Sequence, residues 1–139
     1  MGEAPIVHSV VPEGGSILEL GCGTGRILRP LSELGHPVLG ADESPAMLAR
    51  AADLPTVCSP IETLRLDRVF DAVLVASTMI NTEPAQRRAF LATCGSHVGR
   101  SGVVAANWRH ACAGRPVRAG RAQRVELSLF VDFEVGGVA

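Results

Sequence analysis

Lysine and tyrosine are both missing from this 139-residue chain, and aromatic residues reach only 4% of it. Without lysine there is no Schiff-base chemistry and no phosphate-binding P-loop lysine. All 13 basic residues are therefore arginines. With Trp108 as the single tryptophan, the core has to be aliphatic. Charge of either sign is also scarce. A net charge of −1 gives no general attraction to nucleic acid or to an anionic membrane. No apolar run approaches the ~18 residues of a membrane span. The first 20 residues show neither a charged n-region nor an apolar h-region. Cys22, Cys58, Cys94 and Cys112 form no C-x-x-C pair, which argues against zinc and, without a secretory signal, for reduced thiols in the cytoplasm. His8, His36, His97 and His110 are scattered, and His36 and His97 read as turn residues.

What is present is a 47% hydrophobic composition, enough for one buried core, and a length typical of one domain. Strand and helix patterns alternate from residue 16 to 107. The lead-in, residues 1–15, reads as loop with an extended piece at Ile6–Val11. Strands are expected at Ser16–Leu20, Pro37–Ala41, Thr56–Ser59, Phe70–Ala76 and Val103–Asn107. Helices are expected at Thr24–Leu34, bent by Pro30, at Pro45–Ala52 behind a Ser44 cap with Met47 and Leu48 as its apolar side, and from Glu83 to about Val98 with Phe90, Leu91 and Cys94 inward. Pro60–Arg68 reads as a loop with one turn of helix, and Gly99–Gly102 as a turn. Residues 108–124 read as a basic loop, and the alternation of Leu127–Val135 as a half-exposed edge strand within 125–135. This order implies an α/β fold, a mostly parallel sheet covered by helices, in a single domain whose core is 14–107.

The chemistry concentrates in Ser16–Arg26, S-I-L-E-L-G-C-G-T-G-R. A short apolar strand carrying Glu19 enters a turn with Gly21, Gly23 and Gly25 at alternate positions. Such a turn lets a ligand lie against the main chain. A dinucleotide fingerprint would need its third glycine where Arg26 stands. The E-x-G-x-G-x-G pattern instead resembles motif I of the class I S-adenosylmethionine-dependent methyltransferases. G-A-D-E-S-P-A-M-L at 40–48, I-E-T-L ahead of F-D-A-V-L-V-A-S, and R-S-G-V-V at 100–104 resemble that family's later segments, in the same order.

The resemblance implies a Rossmann-like three-layer sandwich with strand order 3-2-1-4-5 and an antiparallel C-terminal edge strand. It implies S-adenosylmethionine as cofactor, with S-adenosylhomocysteine as product. Glu19 is expected at the cationic amine, with Gly21, Cys22, Gly23 and Gly25 as the methionine-side turn. Asp42, with Glu43 beside it, is expected at the ribose hydroxyls, Met47 against the adenine, and Ile61 and Glu62 along its edge. Pro60 stands where many relatives carry an Asp for the adenine amino group. Ser77, counted among the cofactor-binding residues, and Thr78, Asn81 and Thr82 would wall the site just past strand four; Ser77 and Thr78 are equally readable as helix caps. A-S-T-M-I-N-T replaces the Asn/Asp-Pro-Pro-aromatic run of base N-methylating enzymes, so a small-molecule acceptor is expected and nucleic acid is not. No catalytic base and no metal ligand is assigned; His110 and the arginines of 108–124 read as a solvated loop.

Relatives also have a helical lid before motif I and a seventh, antiparallel strand, and the chain reads as lacking both. Its last strand is then expected at an open sheet edge, available for dimerisation. The alternative reading is a catalytically degenerate or truncated adenosylmethionine-binding domain.

Overall fold

The computed structural model describes residues 3–75, 82–106, 121–125 and 128–132, the last two stretches by their backbone. The elements follow the alternation of the sequence: α1 (Glu3–Val10), β1 (Ile17–Leu20), α2 (Leu28–Glu33), β2 (Val38–Asp42), α3 (Pro45–Ala49), β3 (Thr56–Cys58), a 3-10 turn (Ile61–Thr63), β4 (Phe70–Val75), α4 (Pro84–His97), β5 (Val98–Ala106), β6 (Arg121–Val125) and β7 (Ser128–Asp132). They build one sheet in the order β3-β2-β1-β4-β5-β7-β6. The expected 3-2-1-4-5 arrangement is present, and every pairing is parallel except β6 with β7.

β1 lies between β2 and β4, with Ile17 beside Val38 and Ala72, and Leu20 beside Ala41 and Val75. All four of its residues are buried, as a strand covered on both faces requires. Alternation divides them. Ile17 joins Leu74, Val103 and Ala105 under α1 and α2, while Leu18 and Leu20 join Val73, Val75 and Ala106 under the 3-10 turn and α4.

The lead-in is a helix rather than an extended segment. Its β-branched residues read as strand, but Ala4, Val7 and Val11 repeat at helical spacing and all three are buried against the sheet. Pro5 falls in the first turn, where a missing N–H costs nothing. Two polar ties hold α1 down. The Arg26 guanidinium donates to both carboxylate oxygens of Glu3, at 2.9 and 3.3 Å. Buried His36 donates from Nδ1 to the Gly15 carbonyl, so its Nε2 accepts from His8 Nδ1 at 2.8 Å. His36 thus serves α1 as well as its own turn.

α2 begins four residues later than its apolar pattern suggests. Gly25 at φ 85° breaks the helical path, and Pro30 then lies in the first turn, where it bends nothing. α3 starts as expected, with the Ser44 side chain accepting from the Met47 N–H, but none of its residues is buried and Met47 is exposed. β5 starts at Val98, directly behind α4, and absorbs the expected Gly99–Gly102 turn.

The C-terminal strand departs most from expectation. β7 runs parallel to β5, pairing Val103 with Leu129, and is not at the edge. β6, drawn from the stretch expected to be a basic loop, pairs antiparallel along its other side. The backbone groups expected to be open for a second chain are thereby taken.

Leu74 is fully buried at the middle of β4. Leu74→Ala is expected to lower unfolding stability by about 2–5 kcal/mol, measured by denaturant titration.

Candidate ligand site

In an open parallel sheet, ligands bind beyond the carboxyl ends of the strands. β1 ends at Leu20, β2 at Asp42 and β3 at Cys58, and the glycine turn leaves from the first of these. Gly21, Gly23 and Gly25 all have positive φ, at 75°, 55° and 85°. Only glycine adopts such values without strain. The turn is anchored where it leaves the sheet, because the N–H groups of Gly21 and Cys22 both donate to the Ala41 carbonyl, at 2.7 and 3.0 Å.

Asp42 joins the next loop to this one. Its Oδ2 accepts from Gly23 N–H and its Oδ1 from Ser44 N–H, both at 2.9 Å. Its carbonyl accepts from Ser59 N–H, which brings in the segment after β3. A carboxylate oxygen can accept more than one hydrogen bond, so each oxygen retains capacity for a ligand hydroxyl. The sequence singled out Asp42 for a ligand and missed that it ties the loops together.

Glu19 is the anomaly of the site. It is 2% exposed, on the sheet face that α1 and α2 cover, and its Oε2 has no hydrogen-bond partner among the described residues. Burial pushes its carboxyl from an ordinary 4.5 to about 8, with nearby Arg26 opposing the shift and Glu3 and Asp42 adding to it. Arg26 is turned to Glu3, which it holds below the usual carboxylate range. A buried polar atom left unpaired costs free energy.

Cys22 lies buried against β2, where a Cβ added to Gly40 would fall 2.6 Å from its Sγ. Gly40 is therefore required by packing. Burial pushes the Cys22 thiol up to about 12. Cys22, Cys58 and Cys94 are free thiols. Met47, although exposed, reaches back to the turn. Its Cε would lie 3.4 Å from a Cβ on Gly23. Glu43 is exposed beside Asp42, and Ile61 is buried with Glu62 half-buried next to it. Ser77, Thr78, Asn81 and His110 lie outside the described residues; Thr82, just inside them, makes a short hydrogen bond to Gln86 Oε1. Among the described residues no cluster of three or more potential ligands could hold a metal, and no helix is long and apolar enough to cross a membrane. The structure thus brings Glu19, the three glycines, Asp42 and Met47 around one turn.

Residues 17–102 match the family model described as a methyltransferase domain. The chain belongs to the methyltransferase-domain family. Its fold is the Rossmann-like fold of the class I, S-adenosylmethionine-dependent members. Within this family, the Bacillus subtilis protein YqeM is 36% identical over 83 residues, 54% of this chain and 34% of that protein. A TehB-like SAM-dependent methyltransferase from Corynebacterium glutamicum superposes with a TM-score of 0.65 at 30% identity, covering 72% of this chain and 58% of that one. SAM-bound CalS10, an amino pentose methyltransferase from Micromonospora echinaspora, gives 0.64 at 30% identity, over 73% and 45% of the two chains. This methyltransferase-domain chain spans about a third of YqeM and just over half of the corynebacterial protein.

The Glu19 carboxyl sets a pH dependence whose sign is fixed. Its raised value means that the folded state holds a proton that the unfolded state releases between pH 4.5 and about 8. Stability of the ligand-free protein therefore falls as pH rises through that window, by on the order of 4 kcal/mol. Thermal unfolding measured across it should show this slope in the wild type and lose it in Glu19→Gln.

Proposed function

We propose that this chain carries the donor site of an S-adenosylmethionine-dependent methyltransferase whose acceptor is a small molecule. The observation that carries the reading is the unpartnered, buried Oε2 of Glu19 at the start of the glycine turn. Adenosylmethionine has what this site asks for: an ammonium for a buried carboxyl, a carboxylate for backbone N–H groups, and a ribose diol for Asp42. The positive-φ glycines add the room for a ligand to lie on the main chain.

In this reading Glu19 takes the amine, and Gly21, Cys22, Gly23 and Gly25 present backbone to the methionine end. Asp42 accepts from the ribose hydroxyls while keeping its bonds to Gly23 and Ser44, and Glu43 stands beside it as a second acceptor. Met47 packs its thioether against the base, and Ile61 and Glu62 run along the base edge. Ser77 falls outside the described residues and is given no position, and no residue is assigned as a general base. Bound there, adenosylmethionine supplies a methyl group already activated on a sulfonium, so the protein's part is to bind, to orient and to exclude water. Support for a small acceptor comes from CalS10, which methylates an amino pentose, and from the absence of a basic surplus in this chain.

Calorimetric titration with adenosylmethionine and adenosylhomocysteine tests the reading. Both are expected to bind, and Glu19→Ala and Asp42→Ala are each expected to weaken binding about tenfold or more. No heat at millimolar ligand overturns the donor site. Binding without transfer across a panel of small amines and alcohols overturns the enzymatic part and leaves an adenosylmethionine-binding domain.

A further inference from the structure

Two polar side chains are buried on the inner side of α4, Thr93 and His97, each 1% exposed, one helical turn apart. Neither belongs to the turn around Gly23. Both reach the same short segment. Thr93 Oγ donates to the Ile61 carbonyl at 2.8 Å, with the Ala89 carbonyl 3.2 Å away. The Leu66 N–H donates to His97 Nε2 at 3.1 Å. His97 Nδ1 in turn donates to the Thr93 carbonyl at 2.7 Å, which fixes the ring as the neutral Nδ1–H tautomer. The bonds form one directed series, from Leu66 through His97 and Thr93 to Ile61. They secure the first and last residues of 61–66 to α4, while Ile61 and Leu64 pack with Phe90 and Cys94 between them. Glu62 is joined to α4 as well, accepting from Gln86 Nε2 at 3.4 Å.

We propose that Thr93 and His97 are positioning residues for the ligand's base: they fix the level at which Ile61 and Glu62 stand beyond the end of β3, and so set the affinity for the adenosine half of the ligand. The inference rests on the adenosylmethionine reading. It adds two residues that touch no ligand and act through the backbone of 61–66. A core residue with only a packing role would affect stability throughout the sheet. A positioning pair acts on one segment and one half of the ligand.

The test uses the whole chain with adenosylhomocysteine and adenosine as probes. Thr93→Val keeps the shape and removes the hydroxyl donor, leaving the Ile61 carbonyl with only the Leu64 N–H, at 3.3 Å. It is expected to weaken both probes by the same factor, about tenfold, whereas Thr93→Ser stays within about threefold of the wild type. Hydrogen exchange at residues 62–66 is expected to rise in Thr93→Val while β1 and β4 keep their protection. In the wild type, saturation with adenosylhomocysteine is expected to shift the His97 ring nitrogens in the NMR spectrum together with the amides of 61–66, and to leave the His36 ring unmoved. A folded Thr93→Val with unchanged affinity, or unchanged exchange at 62–66, overturns the proposal. If that variant fails to fold, the wild-type spectrum decides, and an unmoved His97 ring overturns it. A wild type that binds neither probe overturns the donor site itself, and this inference with it.

Discussion

The two oxygens of Asp42 each hold a backbone N–H, one from the glycine turn and one from the start of α3. Much of the site's geometry depends on this shared carboxylate. The turn after β1 has three positive-φ residues, and it is tied to the sheet at its start by the Ala41 carbonyl. Asp42 gives it a fixed partner on the neighbouring strand. The parallel register does the rest, because Leu20 lies opposite Ala41 and Asp42 opposite Cys58. Three loops are thereby brought to one edge of the sheet. The tie is bidirectional: whatever draws on the Asp42 carboxylate also pulls on the Gly23 backbone.

The fold was legible in the sequence where hydrophobic burial is two-sided. β1 and β4 are short apolar runs, each interrupted by a single acid, Glu19 or Asp71, and nearly all of their residues are buried, as strands covered on both faces require. It was less legible where local preference and packing disagree. Ile6, Val7, Val10 and Val11 favour strand by side-chain shape, yet the sheet needs a cover on that face and the spacing of 4, 7 and 11 supplies one. The C-terminal pairing misled for a related reason. Alternation identifies a half-buried strand but says nothing of which neighbour it takes, and the strand that covers β7, R-A-Q-R-V, shows no apolar pattern at all.

The ligand turn was the most readable part of the site, because glycine spacing reports a backbone requirement directly. Its electrostatics were not readable. Glu19 looks like an ordinary acid in sequence, and only the layer of α1 over that face, with Arg26 turned to Glu3, makes it a buried one whose Oε2 has no partner among the described residues. His97 was read as a turn residue and Thr93 was not singled out, yet both are buried residues inside α4. The available signal was their spacing from Phe90, at three and seven residues, which places all three on the same side of α4.

The packing of Cys22 on Gly40 has a consequence for the site's own reactivity. A sulfonium ligand is an alkylating agent, and a thiolate is the side chain most readily alkylated. The turn carries a cysteine between two of its glycines. With the thiol buried against β2 and its ionisation pushed up to about 12, that sulfur stays protonated at neutral pH. The close-fitting interior beneath the loop thus has a chemical effect as well as a steric one: packing alone keeps the cysteine of the glycine turn an unreactive thiol.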